Sequence, residues 1–423
     1  MKILWLCHLI PGAVKEAATG KKESGLWLDH VLDDLRGRGV KLHVICKDLE
    51  GRGAVDEDCT YSGFMERYGH KYIPKHESFF RKELRDFQPD VIHIWGTEYA
   101  HSLAMMKAAE AEGMREKCVI SIQGLVSVCS RHFAEGLSHR VRRQYTFRDL
   151  LRWDNIDHQA KVYRLRGELE QEALRMAPHV IGRTAWDRAC TRLIAPKAEY
   201  HFCNETLRDP FYTGAWSYAK CQKHRIFASS CVYPLKGFHY LLEAFVEVLR
   251  YYPDATLAVP GNDFVCLDTP VKKLRENSYH RYMRRFIEKH GIRDKIFFLG
   301  RLSPEEMKEQ DLLANVFAMP STIENSPNSL GEAMLLGTPC VASDVGGIST
   351  MMTHGTEGYI YQSTAPYMLA HYIMEVFSQG EKVQNMGLAA AKHARTTHDP
   401  RKNLEDLMTV YEKIADRPAE GEA

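Results

Sequence analysis

The sequence has almost no net charge. Fifty-six Lys and Arg face 55 Asp and Glu in 423 residues, a formal net charge of +1, and this excludes the strong basic excess by which a nucleic-acid-binding domain gathers phosphate. It also lacks long hydrophobic runs: none approaches the roughly 20 apolar residues that span a bilayer. The opening run from Met1 to Pro11 has no small-residue cleavage site and ends in a turn, so it reads as a buried first strand and not as a signal peptide. Eleven cysteines are present, but no two form a Cys-x-x-Cys pair and none has a Cys/His spacing suited to zinc. They read as reduced, mostly buried thiols. There is no short-period repeat, and the one biased stretch is a polar tail from Arg417, expected to be disordered. These absences lead to the expectation of a soluble cytoplasmic protein that at most rests on the inner face of a membrane.

What is present is an alternation of short apolar runs with longer segments of helical period, the pattern of parallel sheets with crossover helices. Strands are expected at Ile3 to Cys7, Leu42 to Cys46, Val91 to Trp95, Val119 to Ile122 and Val180 to Ile181. After an irregular stretch near Asp209 the alternation restarts, with strands at Ile226 to Ser229, Thr256 to Val259, Ile296 to Leu299, Val316 to Met319, Val341 to Ser343 and Tyr359 to Tyr361. The predicted architecture is α/β, with two Rossmann-like domains facing across a cleft. The first covers 1–208 and the second 209–398, with a last helix and the tail at 399–423. Ligands of such sheets bind beyond the carboxyl ends of the strands, so those loops carry the candidate residues.

The most informative segment runs from Met319 to Pro339 and reads as strand, loop, helix and stop. Ser326 is expected as N-cap, Pro327 as the first helical residue and Gly337 just beyond the helix end. The amides of Asn328, Ser329 and Leu330 would then form an anion site. Glu324 lies on the loop before the helix and Glu332 more than a turn inside it. Carboxylates accept from hydroxyls and helix amides donate to phosphate, a combination suited to a nucleotide diphosphate sugar. Two glutamates at this spacing also occur as ordinary solvated loop and helix residues.

The whole run, with the following Glu-Ala-Met, the Gly-x-Pro and Val341-Ala342-Ser343-Asp344-Val345-Gly346-Gly347, resembles the Glu-x7-Glu signature of retaining GT-B glycosyltransferases of family 4. Pro234-Leu235-Lys236-Gly237-Phe238 is similar to the family's Lys-Gly motif, and Ser24-Gly25 to its first glycine loop. The resemblance implies transfer of a sugar from a nucleotide diphosphate donor to a hydroxyl with retention. It also implies that the first domain binds the acceptor, that the second binds the nucleotide sugar, and that the last helix returns to the first domain. Lys236 would contact the diphosphate, Glu324 the sugar hydroxyls and Glu332 the ribose. Gly25 and the amides of Asn328 to Leu330 would complete the phosphate cradle. The expected activity is that of a hexosyltransferase using protein donors without a metal or other cofactor.

Two positions depart from the family. Its usual arginine five residues before the lysine is Cys231 here, for which Arg301 is either a candidate substitute or an ordinary surface arginine, and its usual histidine is Gln123, which can hydrogen-bond but cannot act as a base. These departures keep two alternatives open, a non-catalytic nucleotide-sugar-binding protein and a sugar-nucleotide epimerase on the same scaffold. Gly182 to Arg188 and Asn204 to Arg208 resemble enzymes of bacterial surface polysaccharide or glycolipid assembly. The basic, aromatic stretch from His139 to Trp153 reads either as a solvated helix face or as a contact with anionic lipid headgroups.

Overall fold

The protein is described here by a computed structural model covering residues 1–21, 27–67 and 69–416. The Ser24-Gly25 loop and the tail from Arg417 lie outside these residues. The chain forms two compact units. Unit 1 gathers Met1–Val128, Tyr163–Leu207 and the chain from Thr397 onward; unit 2 gathers Cys129–Val162 and Arg208–Thr396.

Unit 1 is built on strands β1 (Lys2–Cys7), β2 (Lys41–Lys47), β3 (Arg52–Ala54), β4 (Cys59–Phe64), β5 (Val91–Trp95), β6 (Cys118–Ser121), β7 (His179–Gly182) and β8 (Glu199–Phe202), in the order β3-β4-β2-β1-β5-β6-β7-β8. All neighbouring pairs are parallel except β3 with β4. In β1 every residue from Ile3 to Cys7 is buried, because helices cover both faces of a parallel sheet and its central strands are apolar throughout. One face packs Ile3, Trp5 and Val44 against Leu404, Leu407 and Tyr411 of the helix Pro400–Ala415. The Tyr411 hydroxyl accepts from Trp5 Nε1 at 3.1 Å and bonds His93 Nδ1 at 2.6 Å, while His93 Nε2 meets Ser121 Oγ at 2.7 Å. Burial holds the His93 pKa well below that of a free imidazole, so the ring stays neutral.

The expected strands of this unit are present. Sequence reading missed β3, β4 and β8, and Asp56-Glu57-Asp58 is the turn between β3 and β4. Asp56 Oδ1 accepts from the amides of Asp58 and Cys59 at 3.0 and 2.8 Å, and its carboxylate pairs with Arg36.

Unit 2 holds six parallel strands, β9 (Arg225–Phe227), β10 (Thr256–Val259), β11 (Ile296–Phe298), β12 (Val316–Met319), β13 (Cys340–Ser343) and β14 (Tyr359–Tyr361), in the order β11-β10-β9-β12-β13-β14. The sequence places all six within two residues. The helix after β12 begins at Asn328, with Pro327 in extended geometry as its N-cap, one residue later than expected. Ser326 is no cap: its hydroxyl lies 3.5 Å from Met351 Sδ. Proline at the cap needs no amide partner and supplies no side-chain acceptor, so the first turn keeps unpaired donor capacity. Among the described residues, no helix is long and apolar enough to cross a membrane.

Candidate functional site

Strands β9 and β12 are neighbours in the unit 2 sheet, so the loops leaving their carboxyl ends emerge side by side. After β9 the chain makes a short 3-10 turn, Pro234–Lys236, and reverses at Gly237 with φ +62° into the helix Phe238–Tyr251. A Cβ at Gly237 would lie 1.8 Å from the Pro320 carbonyl oxygen, at the exit of β12. Only glycine permits that approach. Thr322 ties the two loops together, its amide donating to the Leu235 carbonyl at 2.8 Å.

This approach brings Lys236 Nζ within 2.6 Å of Glu324 Oε1. Ser321 Oγ donates to the same oxygen at 2.7 Å, and Ser343 at the end of β13 fixes Ser321 through its carbonyl at 2.6 Å. Burial works against the Lys236 charge, but the Glu324 carboxylate more than offsets it, so the pKa stands above that of an ordinary lysine. Lys236 is therefore charged at neutral pH. Behind it, Gly346 at φ +53° lets the Gly347 amide donate to the Glu324 carbonyl at 3.1 Å.

The helix Asn328–Leu336 starts beside the pair. Leu330 does not contribute a free amide, because its N–H donates to the Pro327 carbonyl at 3.0 Å; a proline cap brings that carbonyl within reach of the first turn. The Ser329 amide has no hydrogen bond among the described residues, and its hydroxyl meets Ser229 Oγ at 3.2 Å. Asn328 stands immediately before it and is partly exposed.

Glu332 lies inside this helix and is buried. Both its oxygens are held by Arg208, Nε and Nη2 each at 2.6 Å, and the guanidinium also rests on Phe211 at 5.0 Å. Burial raises the Glu332 pKa and Arg208 opposes the rise. Asp311, fully buried nearby, is pushed well above the carboxylate range by burial and by the Glu332 charge. Arg208, Glu332 and Asp311 thus form a buried charged cluster at this helix. Sequence reading missed Arg208 and Asp311 as members of this cluster. A signal existed only in principle: a glutamate in an apolar helix needs a cation, but nothing local names one 124 residues away.

The remaining expected residues are placed as follows. Arg301 is exposed, and no hydrogen bond or ion pair among the described residues joins it to Lys236 or Glu324. Cys231, where an arginine was looked for, is buried with its thiol donating to the Pro260 carbonyl at 3.5 Å. Gln123 belongs to unit 1, where its amide donates to Glu205, itself paired with Arg183 at 2.7 Å. Gly25 lies outside the described residues. Among those described, the one grouping of metal-ligand type is His179, Glu199 and His201 on β7 and β8; Lys413 already pairs with Glu199 there.

Residues 219–393, which carry every element of the Lys236 and Glu324 arrangement, match the family described as glycosyl transferases group 1. A putative glycosyltransferase, YtcC, of Bacillus subtilis is 27% identical over 183 residues, 43% of this chain and 43% of that protein. A D-inositol 3-phosphate glycosyltransferase of Corynebacterium diphtheriae is 30% identical over 159 residues, 38% of this chain and 35% of that one. The match spans about two fifths of the length of these relatives. Solved structures are similar over nearly the whole chain. Sucrose-phosphate synthase of Thermosynechococcus elongatus has a TM-score of 0.73 at 14% identity, covering 98% of this chain and 99% of its own. Anabaena HepE, solved with UDP and glucose, has a TM-score of 0.67 at 17% identity, covering 97% and 99%. The fold is that of the GT-B glycosyltransferases, and residues 219–393 are similar to the glycosyl transferases group 1 family.

Proposed function

We propose that the chain transfers a sugar from a UDP-sugar to an acceptor hydroxyl with retention of configuration, in the assembly of a bacterial surface polysaccharide or glycolipid at the cytoplasmic face. The observation that carries this reading is the Lys236 and Glu324 pair at the carboxyl ends of two adjacent parallel strands, inside the matched domain. The choice of nucleotide is supported by Anabaena HepE, solved with UDP-glucose.

As the bond to the sugar breaks, negative charge grows on the departing diphosphate. A preorganised cation and amides stabilise that charge without reorganising. Lys236 takes the first role and the amides at Asn328 and Ser329 the second, so the reading needs no metal ion. Glu324, already fixed by Ser321, accepts from the sugar hydroxyls, and Glu332 serves the ribose. Arg301 is assigned to the diphosphate.

A panel of nucleotide sugars tested by thermal shift checks this. A true donor at about 100 times its dissociation constant stabilises by roughly 2.7 kcal/mol. Stabilisation by UDP and one UDP-sugar is expected, and no response to any nucleoside diphosphate would overturn the assignment.

A further inference from the structure

The stretch from His139 to Trp153 folds as part of unit 2 and presents an unusual surface. Single exposed apolar side chains are normal, but here Tyr145, Phe147, Leu150, Leu151 and Trp153 are all exposed within nine residues, Leu151 and Trp153 by 68% and 69%. The helix Pro270–Arg275 packs against the helix Phe147–Arg152 and extends the patch with Val271 and Leu274, both at least half exposed.

The apolar side faces outward because the polar side is used to anchor the segment. Thr146 and Asp149 form a reciprocal capping box, and Asp149 also accepts the Ser278 amide at 2.8 Å. Arg148 is held between Asp149 and Asp154, at 2.9 and 2.8 Å. Trp153 ends the helix at φ +52°, a left-handed conformation uncommon for a bulky side chain.

The charges sort in the same way. Arg142 and Arg148 are neutralised by Asp157 and Asp154, and Lys272 by Asp268. Arg140, Arg152, Lys273 and Arg275 are exposed and make no ion pair among the described residues. Four exposed cations without an ion pair among the described residues therefore lie on the segments that carry this aromatic and aliphatic patch, Arg152 on one of its helices, Lys273 and Arg275 on the other, and Arg140 on the helix before. Exposed tryptophan, tyrosine and leucine beside free cations match the interface of an anionic bilayer, where amphipathic rings sit at headgroup depth and the cations meet lipid phosphate.

We infer that the helices Phe147–Arg152 and Pro270–Arg275 form one face that docks on anionic lipid by inserting Leu151 and Trp153. This face does not depend on the glycosyl-transfer reading. It also differs from a purely electrostatic contact of the 139–153 segment, since three of its arginines, Arg142, Arg143 and Arg148, are ion-paired internally and the insertion is apolar.

The test uses the full chain with vesicles of phosphatidylcholine, alone or mixed with phosphatidylglycerol. Trp153 is the exposed ring among six tryptophans, with Trp5, Trp27, Trp95 and Trp216 buried and Trp186 partly so. Brominated acyl chains should therefore quench its fluorescence selectively. The protein is expected to sediment with mixed vesicles at low salt, with quenching. Leu151→Ser with Trp153→Ser should lower partitioning at least about tenfold, and glutamine at Arg140, Arg152, Lys273 and Arg275 should lower it about a hundredfold. Circular dichroism confirms that the variants fold; should one fail, quenching of the parent still decides. No sedimentation with mixed vesicles, or sedimentation without quenching, overturns the inference. So does a concentration-dependent dimer in the absence of lipid that the Leu151 and Trp153 changes abolish, because the face would then belong to a second copy.

Discussion

At the scale of single residues the proposed donor site rests on charge pairs that substitute poorly. Lys236 and Glu324 satisfy one another at 2.6 Å, and a diphosphate would bring Lys236 a second anion. Lys236→Ala should therefore weaken binding of UDP as well as of the UDP-sugar, measured by titration calorimetry; equal affinities in variant and parent would remove Lys236 from the diphosphate site. Glu324→Ala should leave UDP binding nearly intact and lower transfer, because only the sugar meets that carboxylate. Arg208→Met leaves Glu332 buried without its cation beside Asp311. Breaking a buried pair from one side costs about 3–5 kcal/mol, so chemical denaturation should show a loss of that size, and a loss below about 1 kcal/mol would mean that the pair is dispensable. Glu324 was legible because it follows an apolar strand run and precedes a helix, the grammar of a strand-end loop, and Lys236 through the resemblance of its segment to a family motif. Arg208 was not, since the fold alone brings it to Glu332. The burial of Cys231, with its thiol on the Pro260 carbonyl, gives the departure at this position a physical setting: the side chain there packs on backbone.

At the scale of elements, loop positions depend on backbone approaches that only glycine allows. A Cβ at Gly346 would lie 1.7 Å from the Glu324 carbonyl oxygen, at φ +53°. Gly346→Ala must displace the loop that carries Glu324. Strain and displacement together should cost about 2 kcal/mol or more and lower turnover of any donor, both readable from denaturation midpoints and initial rates. Unchanged stability and rate would show that the loop can yield. Buried parallel strands such as β1 and β12 announce themselves as unbroken apolar runs. Strand β4, Cys-Thr-Tyr-Ser-Gly-Phe, mixes polar and apolar residues, and the partly exposed edge strand β8 has burial too incomplete to leave a pattern; both escaped a reading based on hydrophobicity. The helix start at Asn328 moved by one residue because a proline cap leaves no side-chain signature.

At the scale of the whole molecule, contacts between distant segments decide which unit a stretch joins. His239 shows this for residues 129–162: its Nε2 meets the Glu135 carbonyl and its Nδ1 the Tyr279 hydroxyl, each at 3.0 Å. Burial depresses its pKa from 6.5 to about 4, against a smaller opposing effect of the Glu135 carbonyl. The folded value lies below the unfolded one, so the stabilisation is complete above about pH 6.5 and is lost as pH falls toward 4. At about 1.4 kcal/mol per pH unit, the chain should be roughly 2 kcal/mol less stable at pH 5 than at pH 7 from this residue alone. His239→Gln should flatten that part of the profile, and an unchanged slope would place the titration elsewhere. The central claim is that the Lys236 and Glu324 site activates a nucleotide sugar. Its most direct test is the release of UDP from a panel of UDP-sugars, measured for the parent and for Glu324→Ala at saturating donor. The account predicts release by the parent from at least one UDP-sugar and a drop of at least about a hundredfold in the variant; equal release by both proteins would contradict it.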